Sequence, residues 1–247
     1  MKSLLKMTAM EAKLFLREPL GAFFTLVFPL MLLFLFGSIY GNAPNSLFGG
    51  YGTIDISVPS YTAMIIATSG LMSVTITMAS YREKGFLRRL RTTPASPLLI
   101  LVSQVIVVFA MTALGMVLLV TAGKLVYGLR FDGNVLSVLG GFLLGSLSFF
   151  SLGFILAGLM PTARTAQIVG LALLYPMMFL SGAGFPRELL PEGVRKFSTF
   201  LPLTYVVTLL RGLWIGESWG MHVTEIAVLA SMLVAGVLIS AVTFRWE

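Results

Sequence analysis

The chain has 247 residues, 57% of them hydrophobic and 11% charged. Soluble domains carry about 25% charged residues, so an ordinary water-soluble globule is excluded and the bilayer is the natural solvent. Seventeen Lys and Arg against ten Asp and Glu give a formal charge of +7, but the bases are scattered among apolar runs rather than gathered on the polar face a nucleic-acid binder needs.

The absence of cysteine and the single histidine remove disulfides, thiol nucleophiles and Cys-based metal sites. In chain order, residues 1–18 come first. On a helical wheel Lys2, Lys6, Lys13 and Arg17 form one stripe, and Leu4, Leu5, Ala12, Phe15 and Leu16 occupy the opposite face. This predicts an amphipathic helix lying in the membrane surface, the alternative being a solvated lead-in to the first span. A signal peptide is disfavoured, because the apolar run that follows is too long and no small-residue cleavage site ends it.

Uncharged stretches run from Pro19 to Ile54, Ile56 to Tyr81, Thr92 to Gly123, Gly133 to Ala163, Thr165 to Pro186 and Ile226 to Phe244. A helix rising about 1.5 Å per residue needs roughly 20 apolar residues to cross about 30 Å of hydrocarbon. The stretches therefore predict an all-α membrane protein with six spans, near 20–40, 60–81, 98–122, 134–160, 166–185 and 225–244. The uncharged piece from Phe197 to Leu210, with Pro202 inside, is too short to cross and suits an external re-entrant or interfacial helix within a loop over 187–224. Basic residues gather at the side of the termini, eleven against six, which places both ends in the cytoplasm.

Little in the spans carries chemistry. None has an acid or base in its middle, which disfavours a proton-coupled carrier. His222 is a poor base for an intramembrane hydrolase, and no G-x-x-x-x-G-K-[ST] phosphate loop occurs. Gly141, Gly145, Gly153 and Ala157 in the fourth span read as a close-packing stripe. Pro29 and Pro176 mark possible kinks in the first and fifth spans. Tyr61, Met64, Thr68, Met72 and Thr75 share one face of the second span and suit an adaptable cavity for amphipathic ligands, although helix packing explains them nearly as well. Tyr175, Met178 and Phe179 of the fifth span are assigned to the same candidate pathway.

Between the second and third spans, YREKGFLRRLRTTPASP from Tyr81 to Pro97 packs five bases and one acid, more than an anchor requires. Pro94 and Pro97 stiffen its exit and Gly85 permits a bend at its start. Together with LSGAGFPRELLPEGVRKFSTFLPLTYVVTLLRGLWIG from Leu180 to Gly216, it resembles the membrane subunit of type 2 ABC transporters, over the whole chain and most closely the daunorubicin-type drug-resistance exporter permeases. Arg82, Glu83, Lys84, Gly85, Leu87, Arg88, Arg89, Arg91, Thr93 and Pro94 match the family's cytoplasmic coupling helix at 82–97, which docks on an ATPase subunit. Pro202, Leu203, Thr204, Tyr205 and Arg211 match its external motif. Leu201 stands where an Asn is common and Thr208 where an acid is common.

The resemblance implies a single permease domain over 1–247 in a bacterial or archaeal plasma membrane. It also implies partnership with a second permease copy or paralogue, with lipid and with two ATPase chains. It implies no enzyme activity and no cofactor in this chain, ATP and magnesium being held by the partner. A hydrophobic or amphipathic drug, lipid or glycolipid is the implied cargo. The loop's competing reading is an arginine-rich anchor for anionic lipid. The competing functions are an ATP-independent channel or carrier and an intramembrane enzyme.

Overall fold

The structure, a computed structural model, describes residues 2–86 and 97–243. Among these residues there is no strand, and six helices are long and apolar enough to cross a membrane. We label the helices α1 (Lys2–Arg17), α2 (Pro19–Tyr40), α3 (Thr53–Glu83), α4 (Pro97–Tyr127), α5 (Val135–Leu159), α6 (Ala163–Leu180), α7 (Glu192–Ser198), α8 (Pro202–Trp214) and α9 (Val223–Thr243). The spans are α2 to α6 and α9. The side on which α1 lies is called the terminal face below, and the other the far face.

Three spans differ from the lengths read off the sequence. The second begins at Thr53 rather than near residue 60, because Asp55 does not interrupt the helix but caps it: its Oδ2 accepts from Gly52 N at 2.9 Å. A carboxylate in the first turn sits at the positive end of the macrodipole and satisfies an otherwise orphaned N–H. The fifth stops at Leu180 rather than near 185, where Gly182 turns the chain with φ of +91°. The third runs on past Lys124 to Tyr127, a cation in the last helical turn being favourable.

The second span, α3, is the hub. It is buried along nearly its whole length against α2, α4, α5, α6 and α8. Close approach is achieved by glycine. A Cβ on Gly153 of α5 would lie 2.2 Å from Gly70 O, one on Gly70 2.4 Å from Phe149 O, and one on Gly170 of α6 2.6 Å from Leu71 O, so three backbones meet where only hydrogen fits. At this crossing α3 widens into a π segment over Ser69–Val74. The carbonyl of Gly70, displaced from the regular ladder, accepts from Thr75 Oγ1 at 3.1 Å, and the same hydroxyl lies 3.3 Å from Gly153 O.

A second π segment, Phe23–Val27 in α2, directly precedes Pro29. The proline ring would collide with the carbonyl four residues back, at Thr25, and widening the turn relieves that clash. The Pro29 irregularity expected from sequence is thus a π segment. Gly115 of α4 packs beside that same Thr25 carbonyl.

Candidate functional site

At the terminal face, the last turn of α3 clasps the short turn between α5 and α6. Arg82 Nη1 donates to Gly158 O at 2.5 Å and Nη2 donates to Met160 O, placing a cation on the carbonyl end of α5. The next residue does the reverse. Glu83 Oε2 accepts from Ala163 N at 2.9 Å, placing an anion on the amide end of α6, where Thr162 Oγ1 also accepts from Thr165 N at 3.1 Å. Both helix dipoles are met with the correct sign. Three spans are thereby joined at one point just before the loop leaves through Lys84 and Gly85, the latter with φ of +62°. Leu87, Arg88, Arg89, Arg91, Thr93 and Pro94 lie outside the described residues.

Beside the clasp, α1 inserts Glu11 and Phe15 into the protein. Tyr81 Oη donates to both Glu11 oxygens, at 2.7 and 2.8 Å, and Thr77 Oγ1 donates to Glu18 Oε2 at 3.4 Å. Burial pushes both carboxyls above the usual Glu range, only partly offset by these hydroxyls. Neither acid is among the candidate residues read from sequence. The signal was there, since Glu11 falls on the wheel next to Leu4 and close to Phe15, on the side away from the lysine stripe.

Of the stripe on the second span, Met64, Thr68, Met72 and Thr75 are fully buried among neighbouring helices. Thr68 Oγ1 bonds its own helix at Met64 O, 2.9 Å away. Within the single chain these four positions pack against neighbouring helices. Tyr61 differs, because it lines a far-face cavity of about 210 Å³ with Phe36, Tyr40, Phe48, Ser57 and Phe185. Phe185 closes edge-on to Phe36 at 5.5 Å and stacks with Phe179 at 6.2 Å. Tyr175 and Phe179 are exposed on α6, whereas Met178 is buried. The structure therefore brings Phe179 close to the Tyr61 cavity and sets the rest of the stripe apart from it.

The far face is held by a network that reading charge-free runs did not find. Asp55, 0% exposed, accepts from Asn42 Nδ2 at 2.8 Å, from Arg130 N at 2.9 Å and from Arg130 Nε at 3.0 Å. Trp214 Nε1 in turn donates to Arg130 O at 3.0 Å. Counting Arg130 as one external base hid its partner, because treating Asp55 as a gap between spans removed both from consideration.

The polar residues matched to the external motif are bonded to neighbours within the far-face segment. Pro202 opens α8, Thr204 Oγ1 donates to Ser198 O at 2.5 Å, Tyr205 Oη donates to Thr199 O at 2.7 Å, and Arg211 Nη2 pairs with Glu188 Oε1 at 2.7 Å. Its buried face, including Leu203, Val206, Leu210 and Leu213, lies on α5, where Gly141 and Gly145 make room. His222 sits between Glu217 and Glu225, with ring nitrogens 2.8 and 3.8 Å from their carboxylates, so its neighbours are acids rather than a nucleophile.

Comparison with known proteins agrees with this geometry. The putative transport permease ycf38 of Porphyra purpurea is 28% identical over 258 aligned positions, covering 96% of this chain and 83% of that protein. The inner membrane transport permease YhhJ of Escherichia coli K12 is 25% identical over 176 positions, 70% of this chain and 44% of that protein. Nodulation protein J of Rhizobium leguminosarum bv. viciae is 32% identical over 99 positions, 40% of this chain and 38% of that protein. The family model for ABC-2 type transporters matches residues 3–214, and with six apolar helices, the second buried among the others, this chain belongs to that family as a multi-pass membrane transport permease.

Proposed function

We propose that the chain is the membrane subunit of an ATP-driven exporter in a plasma membrane, with both ends in the cytoplasm. It works as two permease copies with two copies of a separate ATPase that holds ATP and magnesium. The observation that carries this reading is the clasp. A loop moved by an ATPase transmits force only if its anchor is stiff, and Arg82 and Glu83 tie the start of the 84–96 segment to the ends of two further spans. Displacement of the loop would then shift α3, α5 and α6 together. The loop residues Lys84, Gly85, Leu87, Arg88, Arg89, Arg91, Thr93 and Pro94 form the docking surface in this reading, and the eleven-to-six split of bases sets the side.

The cargo is hydrophobic or amphipathic, in keeping with a cavity whose aromatic walls carry no charged side chain around Tyr61. The test is reconstitution with a P-loop ATPase encoded beside this chain. Export of an amphipathic dye that requires both chains and ATP is the expected result. Equal flux without the ATPase would establish an ATP-independent channel or carrier instead.

A further inference from the structure

A cavity of about 330 Å³ lies at the terminal face, in the elbow between α1 and α2 and against the end of α3. Its apolar wall includes Leu14, Phe15 and Ile76, and its polar wall includes Glu11, Glu18 and Gln104. Glu11 is 2% exposed, and its carboxylate is met by the Tyr81 hydroxyl. Glu18 is met by the Thr77 hydroxyl. Among the described residues neither acid has an ion-pair partner, although Lys84 stands at the same cavity. Gln104 is 3% exposed, and its carboxamide has no hydrogen-bond partner among the described residues.

Burying Glu11 and half-burying Glu18 against hydroxyls alone leaves their charge uncompensated, and the carboxamide of Gln104 has hydrogen-bonding capacity left unfilled at the same cavity. One ligand chemistry answers both deficits. A primary ammonium offers three N–H donors and one positive charge, matching two carboxylates and one amide oxygen, while an apolar body attached to it would lie along Leu14, Phe15 and Ile76. We propose that the elbow cavity binds a protonated primary amine carried on an apolar body, with the ammonium between Glu11, Glu18 and Gln104. The raised carboxyl pKa values agree with a site whose cation is supplied from outside the chain. The inference deepens the export reading by naming a ligand class, but the binding it asserts does not need ATP or a partner chain.

The experiment uses the full chain in nanodiscs of phosphatidylcholine and phosphatidylglycerol, titrated with dansylcadaverine and with its N-acetylated, uncharged counterpart. Saturable binding of the amine is expected, with Kd about tenfold weaker in Glu11→Gln and in Glu18→Gln, the scale of one charge-assisted hydrogen bond lost. Weaker binding is also expected in Gln104→Leu. Gel filtration and circular dichroism check folding, and should Glu11→Gln fail to fold, Glu18→Gln and Gln104→Leu carry the test. Discs with added phosphatidylethanolamine separate the sources: competition with the probe identifies a lipid headgroup, and undiminished probe binding identifies a free amphiphile. Equal binding of the acetylated compound, or wild-type Kd in the folded glutamate variants, overturns the proposal. Amine binding without ATP-dependent export would leave this site standing and remove the export reading.

Discussion

Single residues at the terminal face combine capping with burial. Glu83 receives Ala163 N, so Glu83→Ala removes a helix cap and should lower stability by about 0.5 to 2 kcal/mol whatever its role in coupling. Glu83→Gln separates the roles. Its amide oxygen still accepts from Ala163 N, but the negative charge is gone, so normal melting with impaired ATP-driven export is expected if the carboxylate also meets a basic group of the ATPase. Normal export in Glu83→Gln would confine the residue to capping. Glu11 and Glu18 bring a pH dependence of defined sign. With their folded pKa values raised by burial, the folded chain holds these protons to higher pH than the unfolded chain. Their contribution is complete below the ordinary Glu range and is lost as pH rises through the raised values. Thermal unfolding from acid to neutral pH should therefore show a falling component that Glu11→Gln reduces.

Elements join where side chains are smallest or most fully satisfied. The crossing of α3, α5 and α6 depends on Gly70, Gly153 and Gly170, and a methyl at Gly153 would meet Gly70 O at 2.2 Å. Gly153→Ala should cost about 1 to 3 kcal/mol through forced separation of the helices, visible as a lower melting temperature in detergent, whereas Gly193→Ala, with open space around its Cβ position, should melt like the wild type. On the far face, Asp55→Ala would remove the acceptor shared by Gly52 N, Asn42 Nδ2 and Arg130, the last of which is half-exposed and can turn to solvent. Loss of about 1 to 3 kcal/mol is expected, the scale of leaving a buried helix-start N–H and its neighbours without their acceptor. Denaturant titration of the two variants would show whether the carboxylate or the crossing glycine matters more.

The whole molecule places one span inside a ring of others, and those others turn apolar side chains outward. α2 presents Phe23, Val27, Met31 and Leu35, while α6 presents Ile168, Tyr175 and Phe179, surfaces that suit lipid or another copy of the chain. Topology is testable because the sequence has no cysteine. Single cysteines at Ala43, Glu192 and Ser218, all exposed on far-face segments, should react with an impermeant thiol reagent added outside intact cells, and one at Lys84 should not. These positions spare Asn45 and Asn134, whose side chains cap the following helices. Labelling at Lys84 from outside would reverse the orientation.

Six spans, the short helix after Pro202 and the family were legible in the sequence, because crossing hydrocarbon requires long uncharged runs and because Pro, Gly and the clustered bases punctuate them locally. The close-packing role of Gly141, Gly145 and Gly153 was equally legible, since a repeated small residue on one helix face has few other uses. What each residue touches was decided only in three dimensions. Asp55 and Arg130 are far apart in the chain, as are Glu83 and Ala163, or Glu11 and Tyr81, and no local pattern specifies that such groups will meet. The Met and Thr stripe shows the same limit, since one face of a helix reads identically whether it lines a cavity or a neighbouring helix. Which of the two it does depends on how closely the surrounding backbones approach, and the glycines of three different spans set that distance.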